Sequence, residues 1–183
     1  MRIGFIVGSL RKGSVSKKIA ETLKGLFPAG HDLELIEIGD LPIYNEDLDN
    51  GNLALPKAYT TFRNKMKTVD AIVFVTPEYN RSVPAALKNA LDVGSRPYGS
   101  SVWSGKPALV VSQSPSNLSG FGANHHLRQT LVFLDVYPLQ QPEVYLANSF
   151  GLFDENGKMN NEGTLKFLQS VVDAFLVHIK RFK

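Results

Sequence analysis

The stretch Ile3-Gly4-Phe5-Ile6-Val7 runs directly into Gly8-Ser9-Leu10-Arg11-Lys12-Gly13-Ser14-Val15-Ser16, after which Ile19, Leu23, Leu26 and Phe27 recur at helical spacing. An apolar strand, a loop of small and cationic residues and then a helix N-terminus form an arrangement that receives a phosphate. Free backbone N–H groups and the positive end of the helix dipole both point at the loop. Ser9, Ser14 and Ser16 add hydroxyl donors, and Arg11 offers a fixed fork of N–H groups that matches phosphate oxygens. The plainer alternative is an ordinary strand-to-helix connection in which Ser14 or Ser16 caps the helix while Arg11 and Lys12 are solvated. The spacing fits neither G-x-G-x-x-G nor G-x-x-x-x-G-K-[ST], which disfavours a dinucleotide or a nucleoside triphosphate at this loop.

Apolar runs of strand length follow at Leu33 to Ile38, Ala71 to Val75 and Ala108 to Val111, separated by helical patterns. Phe62, Met66 and Val69 mark one helix, Leu87 and Leu91 the next, and Leu127, Leu131 and Leu134 a fourth. Continuous apolar strands that alternate with helices indicate a parallel sheet covered on both faces. A fifth strand is expected within Tyr137 to Leu146, at an edge, because Pro138 and Pro142 cannot donate to a ladder. A last helix is expected from about Glu162 to Phe182, with Lys180, Arg181 and Lys183 in the turn that favours cations. The sum is an α/β, flavodoxin-like doubly wound five-stranded parallel sheet with helices on both faces. In that order the ligand lies beyond the carboxyl ends of the strands, beside strand one.

With 183 residues, 43% of them hydrophobic, and no linker-like or charge-rich segment, the chain reads as a single domain over 1–183. It has no cysteine, which removes thiolate nucleophiles, disulfides and cysteine-ligated metal; redox chemistry must come from a bound organic cofactor. The net charge of +3 is spread along the chain, so nucleic acid is not the expected partner and an anionic small molecule suits the balance. No run of eighteen apolar residues occurs and no secretory leader precedes the first strand, so no membrane insertion is expected and the expected location is cytoplasmic.

Two further loops reach the same sheet edge. After strand three comes Thr76-Pro77-Glu78-Tyr79-Asn80-Arg81-Ser82, with Pro84 opening the next helix. The prolines stiffen this segment, Tyr79 can lie along a planar ligand, Asn80 offers both a donor and an acceptor, and Glu78 is the candidate acid or base. Against this stands a reading of Glu78 as a solvated loop residue and Tyr79 as a core aromatic. After strand four, Ser112 to Gly122 supply small polar residues that can approach a flat ring closely. His125 and His126 are adjacent, so they cannot easily share one metal, and no metal is expected; they read as surface or interface residues. Glu46, Asp47 and Asp49 read as a solvated segment flanking the entrance to the site.

The residues Gly8 to Ala20, GSLRKGSVSKKIA, and Pro77 to Asp92, PEYNRSVPAALKNALD, together resemble the NADPH-dependent FMN reductase family, in its bacterial chromate, quinone and azo reductase branch. The likeness extends through His126 to Asp135, HLRQTLVFLD, to most of the chain. The resemblance implies tightly bound FMN, NADPH or NADH as electron donor, and a homodimer or homotetramer. It implies that Ser9, Arg11, Ser14, Val15 and Ser16, with backbone help from Lys12 and Gly13, hold the FMN phosphate. Pro77, Glu78, Tyr79 and Asn80 would line the isoalloxazine, met by Ser114 and Ser112 from the strand-four loop.

Where relatives carry Gly-Gly-x-Arg, this chain has Ser119-Gly120-Phe121-Gly122, so Phe121 is a candidate to cap the flavin or to pack across an interface. The implied reaction passes a hydride from nicotinamide through FMN to a quinone-like acceptor, with chromate, azo dyes or nitroaromatics as further acceptors. No side chain is obligatory in that chemistry. Two other uses of the same fold are a flavodoxin-type electron carrier and a reductase that supplies free reduced FMN to a monooxygenase. Carriers tend to be acidic, unlike this chain.

Overall fold

The computed structural model describes residues 1–182. Six strands and five helices follow one another as β1 (Arg2–Val7), α1 (Val15–Leu26), β2 (Asp32–Ile36), α2 (Lys57–Lys67), β3 (Ala71–Pro77), α3 (Ala85–Gly94), β4 (Pro107–Gln113), α4 (Phe121–Phe133), β5 (Tyr137–Pro138), β6 (Val144–Leu146) and α5 (Glu162–Ile179). Every pairing is parallel and the sheet order is β2-β1-β3-β4-β5, with β6 also on β4. This is the flavodoxin-like doubly wound order, in which the direction of winding reverses between β1 and β3 and leaves a crevice there.

The expected fifth strand is two short pieces sharing one edge position. Tyr137 and Pro138 pair with Pro107 and Ala108, and Val144 to Leu146 pair with Val111 to Gln113. The chain leaves the ladder around Pro142, which has no N–H to give it. The final helix also ends earlier than the spacing suggests, at Ile179, with Lys180–Phe182 in a tighter turn; Lys183 lies outside the described residues.

The central strands are buried on both sides, which is why they read as unbroken apolar runs. Ile3, Phe5, Val7, Val73 and Val75 face α1 and α5, whose Ile19, Leu23, Leu168, Val172 and Phe175 are fully covered. Ile6, Ile72, Phe74 and Val110 face the other way, against Phe62, Met66, Leu87, Leu91, Leu127 and Leu131 from α2, α3 and α4. Trp103 lies wholly inside this second layer, its Nε1 donating to the Leu91 carbonyl at 2.9 Å. It lies flat against Gly94, where a Cβ would fall 2.6 Å from the indole.

The segment from Gly39 to Pro56 is fastened over α2 and α3 by side chains from both. Asn89 donates to the carbonyls of Leu41 and Pro42 and accepts from the Tyr44 amide, and the Tyr59 hydroxyl reaches the Pro42 and Ile43 carbonyls. Asp49 departs from the solvated reading: it is a buried partner of Arg63, while Glu46 remains exposed. A charge that reads as surface in the sequence is brought inside because α2 delivers a guanidinium to it.

Candidate functional site

The loop after β1 is built around Ser14, the N-cap of α1. Its Oγ accepts from the Lys17 amide at 3.1 Å, and its own amide donates to the Arg11 carbonyl at 3.1 Å. The first helical bond runs from Lys18 to Ser14, so the amides of Val15 and Ser16 precede it and stay free for a ligand. Among the described residues, the amides of Ser9, Leu10, Arg11, Lys12 and Gly13 make no backbone hydrogen bond. Arg11 and Lys12 are exposed, and one Arg11 Nη arches back to the Gly13 carbonyl at 2.8 Å. A Cβ at Gly13 would meet nothing within 4 Å, so the loop borders open space. Ser14, Val15 and Ser16 are buried beneath it.

Pro77 ends β3 and is buried. Beyond it, Tyr79 and Ser82 exchange two backbone hydrogen bonds of 2.9 Å each, closing a two-residue turn with Asn80 at φ 50° and Arg81 at φ 66°. Two successive positive φ values define the primed turn; asparagine tolerates this region, whereas arginine pays about 1 kcal/mol for it. Tyr79 is 53% exposed and is no core aromatic. Glu78 is not solvated either, its side chain being only 10% exposed. Its Oε2 accepts from the Ala123 amide in the first turn of α4 at 3.0 Å, and Oε1 lies 3.4 Å from Arg81 Nη1.

Beyond β4 the two serines have different fates. Ser112 is fully buried, its Oγ donating to the Ser119 carbonyl and accepting from Asn124 Nδ2, so its side chain is turned away from the loop surface. Ser114 is half-buried and forms a local turn with Ser116. Between them Gln113, absent from the sequence-level site, links two loops. Its Nε2 donates to Ser16 Oγ at 3.0 Å and its Oε1 accepts from Ser149 Oγ at 2.5 Å. A single amide at the end of a buried apolar strand was the signal that could have marked it.

A groove of about 870 Å³ runs from the Tyr79–Ser82 turn down between α3 and α4, past His126, Arg96 and Phe133. His126 Nδ1 lies 3.0 Å from Ser82 Oγ, whereas His125 Nε2 lies 3.1 Å from the Tyr145 hydroxyl, so the adjacent histidines serve different partners. Phe121 packs against His125 with ring centroids 4.1 Å apart and the rings tilted by 42°, and leans on Tyr145, yet stays 55% exposed. Burial, then the hydrogen bond and charge of Glu143, push the Tyr145 phenol up to about 12.

Loops after β1, β3 and β4 thus gather at the winding reversal, one rich in free donors, one a stiff turn and one of small polar residues. A sheet of this order with such a cradle after its first strand defines a flavodoxin-like mononucleotide-binding protein. The family model for NADPH-dependent FMN reductase matches residues 1–151. A quinone reductase of Pseudomonas putida is 53% identical over 178 residues, covering 97% of this chain and 94% of that one. A 2-hydroxy-1,4-benzoquinone reductase of a Burkholderia species is 37% identical over 180 residues, with 98% and 97% covered. Among solved structures, the flavoenzyme NAD(P)H:(acceptor) oxidoreductase FerB from Paracoccus denitrificans superposes with a TM-score of 0.90 at 36% identity, over 99% of this chain and 98% of that one. The chain belongs to the NADPH-dependent FMN reductase family. It is accordingly an FMN-dependent oxidoreductase that draws on NAD(P)H.

Proposed function

We propose that this chain, as one domain, holds FMN across the loops after β1, β3 and β4 and uses NADPH or NADH to reduce quinones. The observation that carries the reading is the set of free donors around the α1 N-terminus. Loop amides from Ser9 to Gly13, the amides of Val15 and Ser16 and the exposed cations Arg11 and Lys12 border open space, which suits a phosphomonoester. Ser14 Oγ, Ser16 Oγ and Ser9 Oγ retain hydroxyl protons to donate, since the first two accept in the bonds described.

Bound FMN supplies a redox-active ring that takes a hydride from nicotinamide and returns reducing equivalents to an acceptor. The protein's part is placement. Pro77, Glu78, Tyr79 and Asn80 border the ring on one side and Ser114 on the other; the Ser112 hydroxyl is spent internally, so that residue contributes by holding the loop. Tyr79, half exposed at the mouth of the 870 Å³ groove, offers a face against which donor and acceptor rings pack in turn.

The quinone reductases similar to this chain make a quinone the first acceptor to test. An open crevice selects weakly, so chromate, azo dyes and nitroaromatics are slower acceptors. The exposed aromatics Phe121 and Phe133 on α4, with Tyr98 in the loop after α3, suit a homodimer or homotetramer. Among the described residues no helix is long and apolar enough to cross a membrane, and the cytoplasm is the compartment where NAD(P)H would meet the chain.

The deciding experiment is an anaerobic titration of the FMN-loaded chain with NADPH and with NADH, followed in the flavin's visible absorption, with benzoquinone added afterwards. Bleaching that benzoquinone reverses is the expected outcome. Bleaching by dithionite but by neither nicotinamide would make the chain an electron carrier and overturn the proposal.

A further inference from the structure

The N-terminus of α4 lacks a capping side chain of its own. Its cap residue, Gly120, has φ 74° and no side chain to offer, so the Ala123 amide is satisfied from 45 residues away by Glu78 Oε2 at 3.0 Å. Two other contacts converge on the same seam. Gly122 packs so closely on the turn that a Cβ there would fall 2.7 Å from the Arg81 carbonyl oxygen and 3.0 Å from Glu78 Oε2. One helical turn on, His126 Nδ1 meets Ser82 Oγ at 3.0 Å. The turn touched by all three contacts is strained, with a non-glycine residue, Arg81, at φ 66°, and such geometry persists only where the surroundings enforce it.

We infer that Glu78 is a positioning residue, whose carboxylate locks the Tyr79–Ser82 turn to the first turn of α4 so that the two move as one preformed wall. The inference rests on the reading above that this turn borders the flavin. Glu78 does no proton transfer in this role. The anion at the positive end of α4 stabilises the helix start, the helix start fixes the carboxylate, and Arg81, bonded to the same carboxylate, is held in its left-handed conformation. Tyr79 and Asn80 are thereby aimed before the cofactor arrives, which lowers the ordering cost of binding it. Phe121, next to Gly122, is carried by the same unit, so the wall extends to the aromatic pair with His125.

The test compares the full-length wild type with Glu78→Ala, Gly122→Ala and Glu78→Gln. FMN affinity is read from fluorescence quenching, the ring environment from visible circular dichroism of the loaded protein, and the wall from hydrogen exchange in peptides covering 79–82 and 121–124 without FMN. Glu78→Ala is expected to weaken FMN binding about tenfold, to change the flavin's circular dichroism and to speed exchange in both peptides together. Gly122→Ala, which keeps the carboxylate but forces the helix off the turn, is expected to do the same. Glu78→Gln is expected to restore joint protection, because its amide oxygen still accepts from the Ala123 N–H. Faster exchange in one peptide with the other unchanged overturns the inference, as does FMN affinity within twofold of wild type in both alanine variants. If the wild type itself takes up no FMN, the functional reading fails, and the exchange arm alone decides whether the clamp exists.

Discussion

Arg63 and Asp49 meet in a two-pronged ion pair, Nη1 to Oδ1 at 2.7 Å and Nη2 to Oδ2 at 2.6 Å, with their side chains only 8% and 7% exposed. The remaining guanidinium Nε donates to the Val93 carbonyl at 2.9 Å, and the Arg63 Cζ lies over the Tyr59 ring, 5.1 Å from its centre. One side chain on α2 thus ties the segment before it to the end of α3. A buried charge left without its partner is costly, so Arg63→Ala should destabilise the fold by about 3 kcal/mol. The double variant Arg63→Met with Asp49→Leu should lose much less, because no charge is stranded. Urea unfolding decides; equal losses would show that packing, not charge, holds the segment.

Arg11→Ala combined with Ser14→Ala should weaken FMN binding by at least tenfold, since charge-assisted phosphate contacts contribute roughly 1.5–3 kcal/mol each. Ser14→Ala alone also removes a helix cap worth about 1 kcal/mol, so thermal unfolding of the FMN-free variants separates the structural loss from the lost affinity. Unchanged affinity in the double variant would remove the phosphate from this loop.

Gly94→Ala should cost about 1–3 kcal/mol through overpacking, because the new methyl must displace the Trp103 indole. Trp103 is the sole tryptophan, so its fluorescence reports the shift directly. An unmoved emission spectrum with full stability would mean that the helix end relaxes instead.

Parts of the fold and of the candidate site are legible in the sequence alone. The β1 run and the Gly8–Ser16 loop were legible because both are local: apolar continuity marks a doubly buried strand, and serine before a helical repeat marks a cap. Tyr79 and Asn80 were placed at the right sheet edge for the same reason. The positions that escaped depend on long-range pairing. Asp49 reads as surface until Arg63 arrives from α2, Gln113 reads as one more polar loop residue until Ser16 and Ser149 flank it, and Ser112 reads as a loop donor until Asn124 turns it inward. Glu78 suggested acid–base chemistry because composition shows a carboxylate but not the helix amide that occupies it.

Alkaline pH should act through Tyr145. Its phenol is raised from the ordinary value of 10.0 to about 12 by burial first and by Glu143 second. Between those values the folded chain holds a proton that the unfolded chain has lost, so stability is full below about pH 10 and falls as pH rises toward about 12. Tyr145→Phe should flatten that decline in chemical unfolding followed across the window. A decline of the same slope in the variant would assign the effect to other groups.

The two margins of the sheet are both closed to further strands. On one side β2 carries Asp32 and Glu34, engaged by Arg2 and Lys65, and on the other the margin is broken into pieces of two and three residues. Charged or interrupted margins do not template a neighbouring chain. Edge-to-edge growth of the sheet from molecule to molecule is therefore disfavoured at both margins.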